Sequence, residues 1–167
     1  MIIREISGED SEKFRNLVKE VEANSDFMLM EPGERQTTPE QQRNVLERLS
    51  EESHSTIFVA EENEKLVGYL MAIGGSVKRT KHSAYLVVGI LREFRGKGIG
   101  TALFQNLDIW ARNHAISRLE LTTVTQNEAG VALYKKSGFE IEGTKRNSLC
   151  INGLSYDEYY MSKLLRS

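Results

Sequence analysis

The chain has 167 residues, with 22 lysines and arginines against 24 aspartates and glutamates, for a formal net charge of −2. Hydrophobic residues make up 40% and charged residues 28%, an ordinary globular composition in a chain long enough to bury a core without disulfides or metal. That balance excludes a dedicated duplex-binding protein, which carries a marked basic excess, and it excludes a polyanionic scaffold. The longest apolar run, Ala84–Leu91 with only Gly89 interrupting it, is strand-sized. A membrane-spanning helix needs ~20 such residues. The charged start, Met1-Ile2-Ile3-Arg4-Glu5, carries no apolar signal-peptide core. Cys150 is alone, and His54, His82 and His114 are dispersed, so neither a disulfide nor zinc spacing is present. The expectation is one cytoplasmic, metal-free domain over residues 1–167, with no nucleic-acid and no membrane partner.

Ile2–Glu5 reads as a short first strand. Asp10 is placed to cap a helix whose apolar positions Phe14, Leu17, Val18 and Val21 follow helical spacing. Both prolines, Pro32 and Pro39, fall in the loop that follows. Thr38-Pro39-Glu40-Gln41 has the form of a capping box, with Thr38 at N-cap, Pro39 at N1 and Gln41 at N3. The helix it opens carries Val45, Leu46 and Leu49. The period then changes. Thr56–Glu61 and Leu66–Ile73 read as strands, joined by the polar turn Glu62-Asn63-Glu64-Lys65. Ser83–Leu91 is apolar on both faces, the pattern of a central buried strand.

Downstream, Ile99, Leu103, Leu107 and Trp110 share one helix face, and Leu119–Thr123 is another strand. Asn127 caps a further helix that ends in Lys135 and Lys136, with Gly138 at C′. Phe139–Gly143 and Tyr156–Leu164 are the last strands, with Asn152-Gly153 as the turn between the final β segments. Cys150 reads as a buried thiol and Trp110 as packing under the sheet. Antiparallel hairpins first and crossover helices later indicate an α/β or α+β sheet covered by helices.

The chemistry concentrates between Val88 and Thr101. There a buried strand enters a turn containing Gly96, Gly98 and Gly100, and the turn enters a helix. The first N–H groups of a helix lack internal partners, and the helix dipole is positive there. Glycines admit positive φ and close approach of backbone to a phosphate. Arg95 and Lys97 add positive charge. The stretch is not a P-loop, which needs Gly-Lys-Ser/Thr, nor a dinucleotide fingerprint, because Thr101 stands at the third glycine position.

Arg95-x-x-Gly98-x-Gly100 after a hydrophobic strand resembles motif A of the GNAT acyltransferases, Q/R-x-x-G-x-G/A. Asn127-Glu128-Ala129-Gly130-Val131-Ala132-Leu133-Tyr134-Lys135-Lys136-Ser137-Gly138-Phe139 resembles that family's second signature, N-x-x-A-x-x-L-Y-x-K-x-G-F, with Gly130 at the small-residue position. The tail, Phe139–Gly143, Ile151-Asn152-Gly153 and Tyr156–Met161, is similar to the spermidine and ribosomal-protein (Rim-type) branches. The resemblance implies a single-domain fold with a mixed, mostly antiparallel central sheet. Its central strands are splayed, and about four helices cover both faces.

It also implies an N-acetyltransferase that moves an acetyl group from acetyl-CoA to a small amine or protein amine by direct attack. The implied cofactor contacts are Val88, Gly89 and Ile90 along the pantetheine, with Gly89 at a bulge that opens the slot. The peptide groups of Arg95, Gly96, Lys97, Gly98, Ile99, Gly100 and Thr101 would lie on the pyrophosphate. Asn127 reads as helix cap, cofactor ligand, or both. Tyr134 is the implied general acid for the departing thiolate, a phenol with reference pKa ~10; the alternative is a ring packed on the sheet. The base is open between Glu31, Glu34, His82 and water. Tyr85 is a candidate for the acceptor side. Lys135 and Lys136 serve either the cofactor's 3′-phosphate or the helix dipole. Arg92, where relatives carry proline, adds a cation beside the pantetheine path. A homodimer follows by analogy with the family. The competing reading is a CoA-binding sensor without turnover.

Overall fold

Seven strands and four helices alternate in the expected order in the computed structural model, which describes residues 1–166. They are β1 (Ile2–Glu5), α1 (Ser11–Ala23), α2 (Pro39–Glu51), β2 (Thr56–Glu62), β3 (Lys65–Gly74), β4 (Ser83–Ile90), α3 (Ile99–Asn113), β5 (Arg118–Val124), α4 (Glu128–Lys136), β6 (Glu140–Ile151) and β7 (Leu154–Leu164). The strands form one sheet in the order β1-β2-β3-β4-β5-β7-β6. Every pairing is antiparallel except β4 with β5.

Turn chemistry and capping explain the boundaries. Asn63 and Glu64, at φ of 50° and 66°, turn β2 into β3, and Asn152 and Gly153, at 51° and 78°, turn β6 into β7. Consecutive left-handed residues match the twist of a two-residue hairpin. The Thr38 capping box closes as expected: Thr38 Oγ1 accepts from Gln41 N at 3.2 Å, and Gln41 Oε1 accepts from Thr38 N at 2.9 Å. Gly138, at φ +99°, ends α4.

The helices cover both faces. Residues adjacent along a strand point to opposite sides. Tyr69 packs edge-on to Phe14 of α1 at 5.4 Å, while at neighbouring Gly68 an added Cβ would meet Ile99 of α3 at 3.3 Å. Phe14, Leu17 and Val21 from α1, and Leu103, Phe104, Leu107 and Trp110 from α3, close the core over Val59, Val67, Leu70, Leu86, Leu119 and Met161. Leu86 and Leu119 lie on central strands, whose buried runs required cover on both sides. No helix among the described residues is long and apolar enough to cross a membrane.

Three local expectations are corrected. Asp10 stands at the N-cap of α1, but its carboxylate makes no capping bond there. It turns back to Arg4, which donates to its two oxygens at 2.7 and 2.9 Å, and to Ser7 N at 2.8 Å. An ionic, bidentate partner outcompetes a neutral amide. Cys150 is exposed rather than buried. Strand β6 is far longer than Phe139–Gly143, with register shifts at Ile141/Gly143 and Lys145/Leu149. The whole strand is the sheet's edge, and none of its residues is fully buried.

Candidate active site

The site begins where the sheet comes apart. β4 and β5 pair only from Ser83–Arg118 to Tyr85–Glu120. Beyond that, Val88, Gly89 and Ile90 keep their ladder to Leu70, Tyr69 and Gly68 of β3, with no strand partner on their other edge. A central strand with a bare edge leaves peptide donors and acceptors unmet, and it suits an extended amide-bearing ligand that adds as a strand. The expected bulge at Gly89 is absent, since the β3–β4 register passes through it unshifted. The splay comes instead from the end of β4–β5 pairing. Gly89 makes room for Tyr69: a Cβ would lie 2.5 Å from the ring's Cε1.

The loop after β4 is held at its root. Leu91 N donates to Val67 O at 2.9 Å, a short 3-10 turn spans Arg92–Phe94, and Arg95 Nε donates to Ile90 O at 3.3 Å. Gly96 and Gly98 then adopt φ of +74° and +84° with open space around them, so conformation and not crowding requires glycine there. From Gly96 through Thr101 no backbone N–H has an acceptor among the described residues, and helical bonding resumes with Ala102 N to Gly98 O at 3.0 Å. That is a run of free amides at the positive end of α3. Gly100 has another reason to lack a side chain: a Cβ would sit 2.7 Å from Leu133 Cδ2 of α4.

α4 supplies the facing wall. Asn127 Oδ1 accepts from Gly130 N at 3.2 Å, and a Cβ on Gly130 would come within 2.5 Å of Asn127 Nδ2, so the small residue makes room for the cap. The Tyr134 ring sits edge-on to Phe104 at 5.9 Å and to Phe139 at 6.4 Å. Its hydroxyl makes no hydrogen bond with the protein among the described residues. Burial, with a smaller contribution from Tyr85, pushes its pKa up to about 12, so the phenol keeps its proton at neutral pH.

These elements enclose one cleft of about 1240 Å³. That exceeds the ~300–1,000 Å³ usual for a single small ligand. Val88, Gly89, Ile90, Arg95, Gly96, Gly98, Ile99, Gly100, Thr101, Asn127 and Tyr134 all line it. Lys97 does not; its ammonium lies 5.3 Å from the Phe94 ring centroid. Lys136 lines the cleft and Lys135 does not. Arg92 turns away from the slot and donates to Asn24 O at 2.6 Å, tying the turn to the end of α1.

The second half of the cleft was not read from the sequence. It comprises Glu22 on α1, Phe27 and Arg35 in the α1–α2 loop, Tyr69 on β3, and Ser148 and Glu158 on the β6–β7 hairpin, alongside the anticipated Tyr85. Phe27 packs edge-on to Tyr156 of β7 at 6.0 Å, which closes the rim between loop and hairpin. Glu22 is 3% exposed and paired with Arg35. Burial holds the Tyr69 phenol above its ordinary range, with Glu22's charge adding to the effect. One signal could have found Glu22: it continues the four-residue spacing of Phe14 and Val18, a charge on an apolar stripe. Of the candidate bases, Glu31 and Glu34 are exposed outside the cleft, where Glu31 N donates to Glu34 Oε1 at 2.9 Å. His82 lines a separate hollow with Ile73, Arg118 and Glu120.

A bare strand edge, a helix start of free amides and a protonated phenol, lining one cleft in a split sheet, are groups that an acyl thioester attached to phosphates could use. Residues 21–139 match the model of the acetyltransferase (GNAT) family. Over 122 residues the chain is 31% identical to the L-amino acid N-acetyltransferase AaaT of Escherichia coli (strain K12), a match covering 71% of this chain and 74% of that one. A GNAT-family acetyltransferase from Streptococcus pneumoniae superposes with a TM-score of 0.94 at 28% identity, over 99% of both chains. A ribosomal-protein-alanine N-acetyltransferase from Brucella melitensis does so with 0.85 at 26%, over 99% and 100%. The chain belongs to the GNAT acetyltransferase family. It is an N-acetyltransferase whose cosubstrate is acetyl-CoA, and the likeness to the ribosomal-protein branch is borne out.

Proposed function

We propose that the chain acts as one catalytic domain that passes the acetyl group directly to a primary amine within a ternary complex, with Tyr134 as general acid. The run of free amides from Gly96 to Thr101 beside the bare edge of β4 is the observation that carries this reading. The amides, with the charge of Arg95, cradle the pyrophosphate. The edge from Val88 to Ile90 takes the pantetheine as an added strand, and an N–H there polarises the thioester oxygen. Donors of that kind contribute ~3–4 kcal/mol. The amine nitrogen attacks the carbonyl carbon and forms a C–N bond, and the oxyanion then collapses as the C–S bond breaks. The thiolate takes the Tyr134 proton. The proton lost by the attacking nitrogen leaves through water and restores the phenol, since Glu31, Glu34 and His82 lie off the cleft.

A cytoplasmic homodimer belongs to the same reading. Exposed Ile73, Tyr160 and Leu164 support the pairing, and light scattering in solution tests it. For the mechanism, the test is Tyr134→Phe. The expected outcome is a fall of roughly 100-fold in kcat, with the dissociation constant of acetyl-CoA changed less than about twofold. Full activity in that variant would remove the phenol from the mechanism. A wild type whose melting temperature ignores millimolar acetyl-CoA would overturn the whole assignment. Turnover of any amine by the wild type excludes a binding-only module.

A further inference from the structure

We infer that Arg35, seated by the buried carboxylate of Glu22, is a clamp for an oxyanion on the acceptor, so that the acceptor is a small amine that also carries a carboxylate. The inference rests on the acetyl-transfer reading and names the substrate class of the same site. Glu22 is 3% exposed, and an unpaired buried carboxylate is strongly unfavourable. Its two oxygens accept from one donor, Arg35 Nε, at 2.9 and 3.1 Å. Among the described residues, neither terminal nitrogen of Arg35 makes a hydrogen bond, and both Glu22 and Arg35 line the cleft. A guanidinium held at Nε keeps one fork free, the pair Nη1 and Nη2. A planar fork matches a carboxylate bidentately. Glu22 thus fixes the guanidinium in place and leaves its Nη1/Nη2 end open.

The placement limits the acceptor's size. The Tyr69 hydroxyl would lie 2.9 Å from a Cβ at Gly89, on the strand segment assigned to the thioester. The charges of Glu22 and Arg35 both act on that same hydroxyl. Clamp and reacting end thus line one cleft beside the same tyrosine, a placement suited to an amine and a carboxylate on one small molecule. The Phe27–Tyr156 contact closes the neighbouring rim, which favours such a molecule over the terminus of a folded protein.

The experiment measures CoA release by the full chain with saturating acetyl-CoA, using the proteinogenic amino acids and their α-carboxamides as paired acceptors. At least one acid is expected to exceed its carboxamide by about 100-fold in kcat/KM, the scale of two lost charge-assisted hydrogen bonds. Arg35→Gln should erase most of that ratio through the acid's KM. The same variant should leave the acetyl-CoA-induced rise in melting temperature within a few degrees of wild type, because the cosubstrate half of the cleft does not touch Arg35. The wild-type ratio needs no variant, so it stands even if Arg35→Gln folds poorly. Equal use of acids and carboxamides overturns the clamp. So does an equal loss of both in the variant, or a panel in which no acid is acetylated although acetyl-CoA binds. A wild type that fails to bind acetyl-CoA at all would bring down the acetyl-transfer reading instead.

Discussion

The two halves of the cleft are built differently. The half we assign to the cosubstrate comes from one continuous stretch, Val88 to Thr101, with α4 as its wall. Its conformation follows from local rules: two glycines in left-handed φ, a short 3-10 turn and the start of a helix. The half we assign to the acceptor brings together Glu22, Phe27 and Arg35 from the first part of the chain and Ser148, Tyr156 and Glu158 from the last. None of these pairings is local, and each depends on α1 having docked over β3 and β4 and on the β6–β7 hairpin having closed one end of the sheet. On the proposed assignment, the part that would bind a constant cosubstrate is self-contained, while the part that would select a variable partner is a seam between distant segments. A loop can change at the seam without disturbing the phosphate cradle.

This contrast has measurable consequences. The largest is expected in the cradle. Gly98→Val forces a β-branched residue to φ +84°, a conformation costing an L-residue roughly 1–2 kcal/mol or more. The loop must rearrange, and calorimetric titration should show acetyl-CoA affinity falling on the order of 100-fold. Unchanged affinity would show that the free amides do not hold the cosubstrate. Next is the anchor of α1. The Arg4 guanidinium, as the dominant cause, holds the Asp10 carboxyl down at about 2, against 3.8 for an unperturbed group. A depressed carboxylate pKa stabilises the fold above the unfolded value, and that contribution disappears as pH falls through the folded value. Asp10→Asn should therefore cost about 2 kcal/mol at pH 7 and nothing below about pH 2, as read from urea melts across that range. The smallest effect is expected at the rim. Phe27→Ala removes an aromatic pair worth ~0.5–1.5 kcal/mol. Acceptor KM should rise about fivefold while acetyl-CoA affinity holds. A matching loss of acetyl-CoA affinity would mean that the two halves are coupled after all.

Tyr134 has a pH signature of its own. Burial raises it to about 12, so the phenol stays protonated through any ordinary assay range. Its neutral burial stabilises the fold fully below the ordinary tyrosine value of ~10 and loses that contribution as pH rises toward 12. The rate is thus expected to show no alkaline decline from this group below about pH 11.

What the amino-acid sequence alone determined is largely what one stretch of backbone can encode. The capping box at Thr38, the left-handed turns at Asn63 and Asn152, the helix stop at Gly138 and the alternation of strands with amphipathic helices were all legible. So was the glycine turn into α3, because glycine spacing beside a helix start is a local property. Asp10 misled because its local role as a cap lost to a bidentate arginine on the neighbouring strand. Cys150 misled because burial depends on how far a hairpin overhangs the core, which composition does not carry. Only the tertiary structure decided that Glu22 sits buried behind Arg35, that Phe27 reaches Tyr156, and that β4 parts from β5 after Tyr85. Each of these is a contact between segments distant in the chain, and its energy exists only after the sheet and helices have packed.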